Sequence, residues 1–349
     1  MKFNLLAVAA TVAVGLATPA GAEVIQGDMS PAKVAFGNGG GGASGIQVIG
    51  DFHIVHLDGF KSAPKRVGIS VFNVAFRDEK TQSAKTSLTT KWNFVSALGT
   101  NMTKTVQQTK TATQHTALSG VDPATRQRIT DAAYADFVGQ LTAAGYDVVG
   151  SAELAKLAPE YATWTPKPNF SAGRFGTYVA PTGRNLFFLR SDGAKGDSQG
   201  DLSGVAMSFQ GFDSPQAFQR SPYVAHDAKV GILAVTLVVD IGTYSNTGNT
   251  KRYNAKMEVG FHPGVTVQSG NFLATASLVE YWGLNSGGFP AVAILAAPLT
   301  SDLPFSNIDQ GGGEVTVTAD PTLFAAAARE VTHAANTKLV TVFASNAAR

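Results

Sequence analysis

Apolar and polar positions alternate along much of this chain with a period close to two, the mark of strands whose faces meet different surroundings. Three early segments read this way: residues 46–49, 52–57 and the longer run Arg66-Val-Gly-Ile-Ser-Val-Phe-Asn-Val-Ala-Phe76. In that run Val67, Ile69 and Val71 alternate along one face while Phe72, Val74 and Phe76 carry the other. A strand apolar on both faces is expected to be central and covered on both sides. Residues 80–119 differ, being rich in Thr and Ser with scattered Lys and Gln, interrupted by Trp92, Phe94 and Val95. Such text predicts an extended hairpin or a mobile insertion.

The period changes at Asp122, which reads as a helix N-cap with Pro123 at the first helical position, followed by Ile129, Ala133, Phe137 and Leu141 at a spacing of four. Gly145 is the expected stop. Residues 146–149 read as a short strand, and Ser151 as the cap of a second helix over 153–157 that Pro159 ends. A turn-rich stretch, 161–185, leads to a hairpin predicted from 186–189 and 204–209 across the polar loop 191–203. Residues 228–240 form a long strand, with 253–261 as its antiparallel partner across loop 242–250, and further strands at 265–268 and 272–280. The chain closes with a strand at 314–318, a helix over 322–336 capped by Asp320-Pro321, and an apolar segment at 339–343 of open type. The expected fold class is α+β (or α/β): a mixed, largely antiparallel sheet with a few packing helices and long polar hairpin insertions.

Composition narrows the function classes. The chain has 349 residues, 44% of them hydrophobic, enough for a sizeable core. Lys plus Arg number 27 and Asp plus Glu 25, a formal net charge of +2, and only 15% of residues are charged, which excludes an acidic disordered tail or a basic nucleic-acid arm. No nucleic-acid partner is expected. Cysteine is absent, which removes disulfides, thiolate nucleophiles, Cys-ligated metals and lipidated cysteine. Lys2, the apolar run 5–16 and Ala20-Gly-Ala22 have the layout of a secretory signal peptide, too short for the about 20 residues that span a bilayer. The expected organisation is a signal peptide over 1–22, a tail and Gly-rich linker over 23–45, and a main body over 46–349 with a Thr-rich insertion at 80–119. The expected location is periplasmic or extracellular, in a bacterium, with any membrane contact made otherwise than by a transmembrane helix. Gly45 is followed by Ile-Gln-Val-Ile and not by Lys-Ser or Lys-Thr, so the glycine run 37–45 is no phosphate-binding loop.

Candidate chemistry is sparse. His53-Ile-Val-His56 with Asp51 and Asp58 is the densest set of metal-ligand types, although on a strand positions 53 and 56 point to opposite faces. Ser62-Ala-Pro-Lys65 matches the S-x-x-K of penicillin-recognising enzymes in form, but Pro64 sits inside it and a strand follows. His226-Asp227 precedes a strand and reads as a turn. Asp147, Asp240, Glu258 and Glu280 are the strand-borne acids from which a hydrolytic pair would be drawn. Trp164, Tyr178, Phe187, Phe188, Tyr281 and Trp282 read as core aromatics more than as a stacking platform. The lysines at 61, 65, 80, 85, 91, 104 and 110 read as solvated surface. No catalytic residue is assigned, and no cofactor is expected.

The order of elements carries one resemblance. A central strand such as 66–76, a helix with Phe137, Leu141 and Gly145 leading into Tyr146-Asp-Val-Val149, and then Ser151-Ala-Glu-Leu154 resemble the periplasmic α/β module of curli-secretion (CsgG-type) proteins and the N-terminal domain of the Tol-system propeller protein. The stretch Ala228-Lys-Val-Gly-Ile-Leu-Ala-Val-Thr-Leu and the segment Tyr253-Asn-Ala-Lys-Met-Glu-Val resemble the next strands of that group, and His262-Pro-Gly264 stands where the group carries an Asp-x-x-Thr-Gly turn. The resemblance implies a non-enzymatic envelope or secreted protein, an assembly or secretion accessory with envelope or secreted proteins, or copies of itself, as partners. The other class left open is a periplasmic hydrolase or carbohydrate-binding protein.

Overall fold

The computed structural model describes residues 25–26, 47–49, 51–55, 59–60, 63–95, 101–189, 216–251, 254–269, 277–284, 290–311 and 313–347. The expected signal peptide, the glycine run, the second strand of the 186–209 hairpin, and residues His56, Asp58 and Ser62 lie outside them. The first part of the chain gives β1 (Ile25–Gln26), β2 (Gln47–Ile49), β3 (Phe52–Val55), β4 (Arg66–Phe76), β5 (Glu79–Val95), β6 (Asn101–Ser119), α1 (Pro123–Ala143) and β7 (Asp147–Val149). The middle gives α2 (Ser151–Leu157), α3 (Pro159–Ala162), β8 (Ser171–Gly173), β9 (Gly176–Val179), α4 (Gln216–Ala228), β10 (Gly231–Lys251) and β11 (Asn254–Val267). Last come β12 (Leu278–Trp282), β13 (Ala291–Leu295), β14 (Leu299–Ser301), β15 (Ser306–Gly311), β16 (Glu314–Ala319) and α5 (Pro321–Ala347).

The class is α+β, with mixed, largely antiparallel sheets. β4 and β10 form a parallel pair at the centre. On the far side of β10, its first half pairs with β12 and its second half with β11, both antiparallel. β4 is flanked by β7 at its start and by β9 at its end. β13, β3 and β2 extend the sheet beyond β12, and a smaller sheet has the order β15-β16-β6-β5.

Helices cover both faces of the centre. The α1 stripe Ile129, Ala133, Phe137 and Leu141 packs with Phe324, Ala328, Val331, Ala335 and Leu339 of α5 over Val67, Ile69, Phe72, Val74 and Phe76. Leu154, Tyr161 and Val224, from α2, α3 and α4, pack on the opposite face over Val71, Ile232 and Ala234. The helix starts follow the expected chemistry: Asp122 Oδ1 accepts the Thr125 N–H at 2.6 Å, and Asp320 Oδ1 accepts those of Thr322 and Leu323 at 2.8 and 2.9 Å.

Strand β4 is central and buried on both sides, but its faces divide differently from simple alternation. The register steps from Ile69↔Leu233 to Val71↔Ala234, so Ser70 is an extra residue. This bulge puts Val67 and Ile69 on the same face as Phe72, Val74 and Phe76, and leaves Val71 to the other. The carbonyl of Ser70 accepts the Tyr161 hydroxyl at 2.9 Å.

Other expectations need correction. Residues 242–250 are strand, not loop: β10 runs on to Lys251 and pairs with β11 as far as Lys251↔Asn254, because Thr, Tyr and Ser between the glycines suit an extended ribbon. Residues 265–267 belong to that same β11 and form no separate strand; Pro263 sits at the shift between Asp240↔Thr266 and Gly242↔Pro263, where a missing N–H costs no regular ladder bond. Gly150, not Ser151, caps α2. Residues 186–189 form no strand; Leu186 bridges Lys167 and the segment is buried as coil. Ala228 closes the unanticipated helix α4 instead of opening β10. Segment 339–343 continues α5, since Leu339 and Phe343 extend the stripe set by Val331 and Ala335.

Candidate interaction site at the base of the arms

Two long hairpins leave the body. In the first, β5 and β6 pair from Glu79↔Ala117 to Val95↔Asn101; the second is the far half of β10 with β11. At about 3.4 Å per residue, the 17-residue strand β5 is about 55 Å long. Among the described residues no strand pairs with the outer edge of β5, and β16 takes only positions 115–119 of β6. Nor does any described strand pair with the outer edge of β11 over 254–264. Along β5, Thr81, Ser83, Lys85, Ser87 and Thr89 are exposed, whereas Ala84 is buried and Gln82, Thr86 and Leu88 are half-buried. Neither face has the apolar alternation of a lipid-facing strand.

Each hairpin is held at its base by charge. β4 runs into β5 through only Arg77 and Asp78, so the chain turns from the large sheet to the small one in two residues. The Asp240 carboxylate of β10 lies fully buried behind that corner, where Oδ2 accepts from Arg77 Nη1 at 3.2 Å and from Lys80 Nζ at 3.1 Å. Its Oδ1 accepts the Ile241 N–H at 2.7 Å, beside the β11 bulge. On the other flank, Asp78 takes both guanidinium nitrogens of Arg126, at 2.9 and 2.6 Å, and the Thr177 hydroxyl at 3.0 Å, tying the corner to α1 and β9. The Asp78 carbonyl accepts the Leu118 N–H at 2.7 Å.

Aromatic contacts complete the base. The Tyr244 and Phe261 rings lie 5.4 Å apart across the second hairpin, and Lys80 Nζ sits 4.8 Å from the Tyr244 ring centre. The Tyr244 hydroxyl is hydrogen-bonded to Thr116 of β6, so the two hairpins touch. Burial is the main cause that raises the Tyr244 phenol above its ordinary pKa. In this arrangement the cations and carboxylates pair with one another, which fixes the geometry of the corner.

The residues marked by sequence are placed as follows. Asp51, in the turn before β3, pairs with Lys338 of α5, so its carboxylate already has a cation. His53 lies on β3 between Val48 and Ile294, and burial lowers its pKa. His56 lies outside the described residues. Among the described residues no group of three or more His, Asp or Glu is arranged to hold a metal ion. Lys65 lies over the Tyr146 ring at 4.7 Å. His226 and Asp227 form an exposed pair at the end of α4. The four acids are not brought together: Asp147 pairs with Arg66 at the surface, Asp240 is locked at the corner, Glu258 is exposed on β11 and Glu280 is buried on β12. Trp164, Tyr178, Phe187, Phe188, Tyr281 and Trp282 are all core.

Sequence reading missed the partners Arg77, Asp78, Arg126 and Thr116. The signal that could have found them is the run Arg77-Asp-Glu-Lys80, four charges directly after ten successive buried strand residues. No family model, curated protein or solved structure matches the chain.

Proposed function

We propose that the protein is an exported, non-enzymatic component of the bacterial envelope or its surroundings, an assembly or secretion accessory that works through protein contacts, including contacts between its own copies. The observation that carries this reading is the pair of polar hairpin arms with open strand edges, held at their base by paired charges. Open edges offer rows of N–H and C=O groups to a further strand. The lysines on β5 suit a surface that must stay soluble until a specific partner arrives. The signal-peptide layout of residues 1–22 and the resemblance to curli-secretion-type modules support the proposed location.

The test is the native mass of residues 23–349 across a concentration series, by light scattering, beside a variant in which residues 86–110 are replaced by Asn-Gly. That replacement keeps the pairing of the buried Ala84 with the half-buried Ala112 and closes the hairpin with a favoured two-residue turn. The expected result is an assembled species that the shortened variant loses. A species that stays monomeric at every concentration, alone and with purified envelope proteins, overturns the reading.

A further inference from the structure

The sheet β15-β16-β6-β5 is open at both ends among the described residues, and its two edges differ in charge. On β15, Asn307 and Asp309 are exposed. On β5, Ser83, Lys85, Ser87 and Lys91 are exposed, and Glu79 at the base is the strand's one acidic residue. Nearer the corner, Lys80 is paired with Asp240 and Asp78 with Arg126, whereas Lys85 and Asp309 stand in solvent.

Ile308 marks the β15 edge as unfinished. It lies on the inner face of the small sheet beside Val317, which is fully buried, yet Ile308 itself is 37% exposed. A further strand would cover it with its own inward residue. β5 has such a residue in Ala84, which is buried between the exposed Ser83 and Lys85. Asn307-Ile-Asp309 and Ser83-Ala-Lys85 therefore match face for face, polar beside polar, apolar beside apolar and acid beside base.

Direction and register follow from the sheet itself. β5 is antiparallel to β6, β6 is parallel to β16 and β16 is antiparallel to β15, so β15 and β5 run the same way. Copies placed side by side in one orientation set these two strands parallel. With no offset, Asp309 falls in the row of Thr316, Ala117 and Glu79, a like-charge contact. Only even steps keep inner residues inner. Steps of two and four put Asp309 beside Thr81 and Ser83; a step of six, about 20 Å along the strand, is the first that reaches a lysine. That step sets Asp309 beside Lys85, Ile308 beside Ala84 and Asn307 beside Ser83.

We propose that the partner of the open β5 edge is a second copy of this chain, whose β15 adds to it in parallel with Asp309 beside Lys85. Copies then join head to tail into a continued sheet. Contact of this kind uses different patches on the two copies, so it closes into a ring or runs on as a filament. The inference rests on the self-contact reading above and names the two edges that meet.

The absence of cysteine makes introduced thiols a direct test. Within one chain, Asn307 and Ser83 stand on strands separated by β16 and β6, about 14 Å across the sheet, beyond the reach of a disulfide. Residues 23–349 carrying Asn307→Cys alone or Ser83→Cys alone should give no covalent dimer on mild oxidation, at a concentration where light scattering shows assembly. An equimolar mixture of the two should give a mixed dimer, and the double variant a ladder of multimers. Asp309→Lys and Lys85→Asp should each weaken assembly at least about tenfold, since each sets like charges side by side, and the two combined in one chain should restore it. A cross-link within either single variant, no cross-link in the mixture of an assembled protein, or no restoration by the combined charge swap overturns the inference and leaves the self-contact reading standing. A chain that is monomeric at every concentration also overturns the inference, whereas the wider reading falls only if purified envelope proteins fail to bind as well.

Discussion

Replacing Asp240 by Asn removes one negative charge from the corner while keeping its size and an oxygen for the Ile241 N–H. What remains is two cations, Arg77 and Lys80, with side chains only 17% and 14% exposed and no common counter-charge. Breaking a buried ion pair on one side costs about 3–5 kcal/mol, and the conservative shape of Asn puts this change near about 3 kcal/mol. For a chain of this size that corresponds to a fall in Tm of about 4 °C. Because both hairpins are anchored here, part of the loss should appear as easier opening of the arms. Trypsin, which cuts after Lys85, Lys91, Lys104 and Lys110, reads that opening directly. In the regime where opening precedes cleavage, the acceleration is at most about a hundredfold, the value reached if all of the about 3 kcal/mol acts on opening. A triple variant, Arg77→Met, Lys80→Met, Asp240→Leu, should recover most of the stability, since apolar residues of similar volume can replace a buried ionic group. If Asp240→Asn unfolds within about 0.5 kcal/mol of the parent and its arms are cut at the parent rate, the corner is not what holds the hairpins.

Other consequences follow from the same geometry. The hydrogen bond from the Thr125 N–H holds the Asp122 carboxyl below its ordinary pKa, so its contribution is complete above the unfolded value and lost as pH falls through the folded one; Asp122→Asn should flatten stability against pH below about pH 4 while still capping the helix. Burial lowers the His53 pKa, so an NMR titration should place its imidazole below 6.5, and its contribution to stability should disappear as pH falls through that folded value. Gly176 has φ +121°, and a Cβ there would lie 2.1 Å from the Phe76 carbonyl oxygen, so Gly176→Ala should cost at least about 2 kcal/mol by denaturant unfolding. Asp320→Ala removes the acceptor for two N–H groups of α5 and should cost about 1 kcal/mol in the same assay.

Local signals proved reliable where one residue type has one dominant use. Asp122-Pro123 and Asp320-Pro321 announced helix starts because a carboxylate followed by proline satisfies the first turn and little else. The run 66–76 announced a buried central strand because ten successive residues there have no exposed alternative. The Thr-rich segment 80–119 was legible as a hairpin but not as part of a sheet, because β16, its neighbour, arrives about 200 residues later. The candidate site was almost illegible. Asp51 looked like a metal ligand because Lys338, its counter-ion, stands on the last helix. Asp240 looked like a spare strand carboxylate because Arg77 and Lys80 lie more than 150 residues upstream.

By itself the sequence determined a mixed α and β class, the helix caps at Asp122 and Asp320, the central strand and the absence of any thiol chemistry, all of which depend on residues close together in the chain or on composition alone. Only the tertiary structure decided that β10 continues as an arm, that Ser70 is the extra residue dividing β4 between two cores, and that the charges at 77–80 close on Asp240. The physical reason is the range of the forces involved. Propensity and capping act within one turn or one strand, whereas register, bulges and buried ion pairs are set by whichever distant segment supplies the missing hydrogen bond or counter-charge.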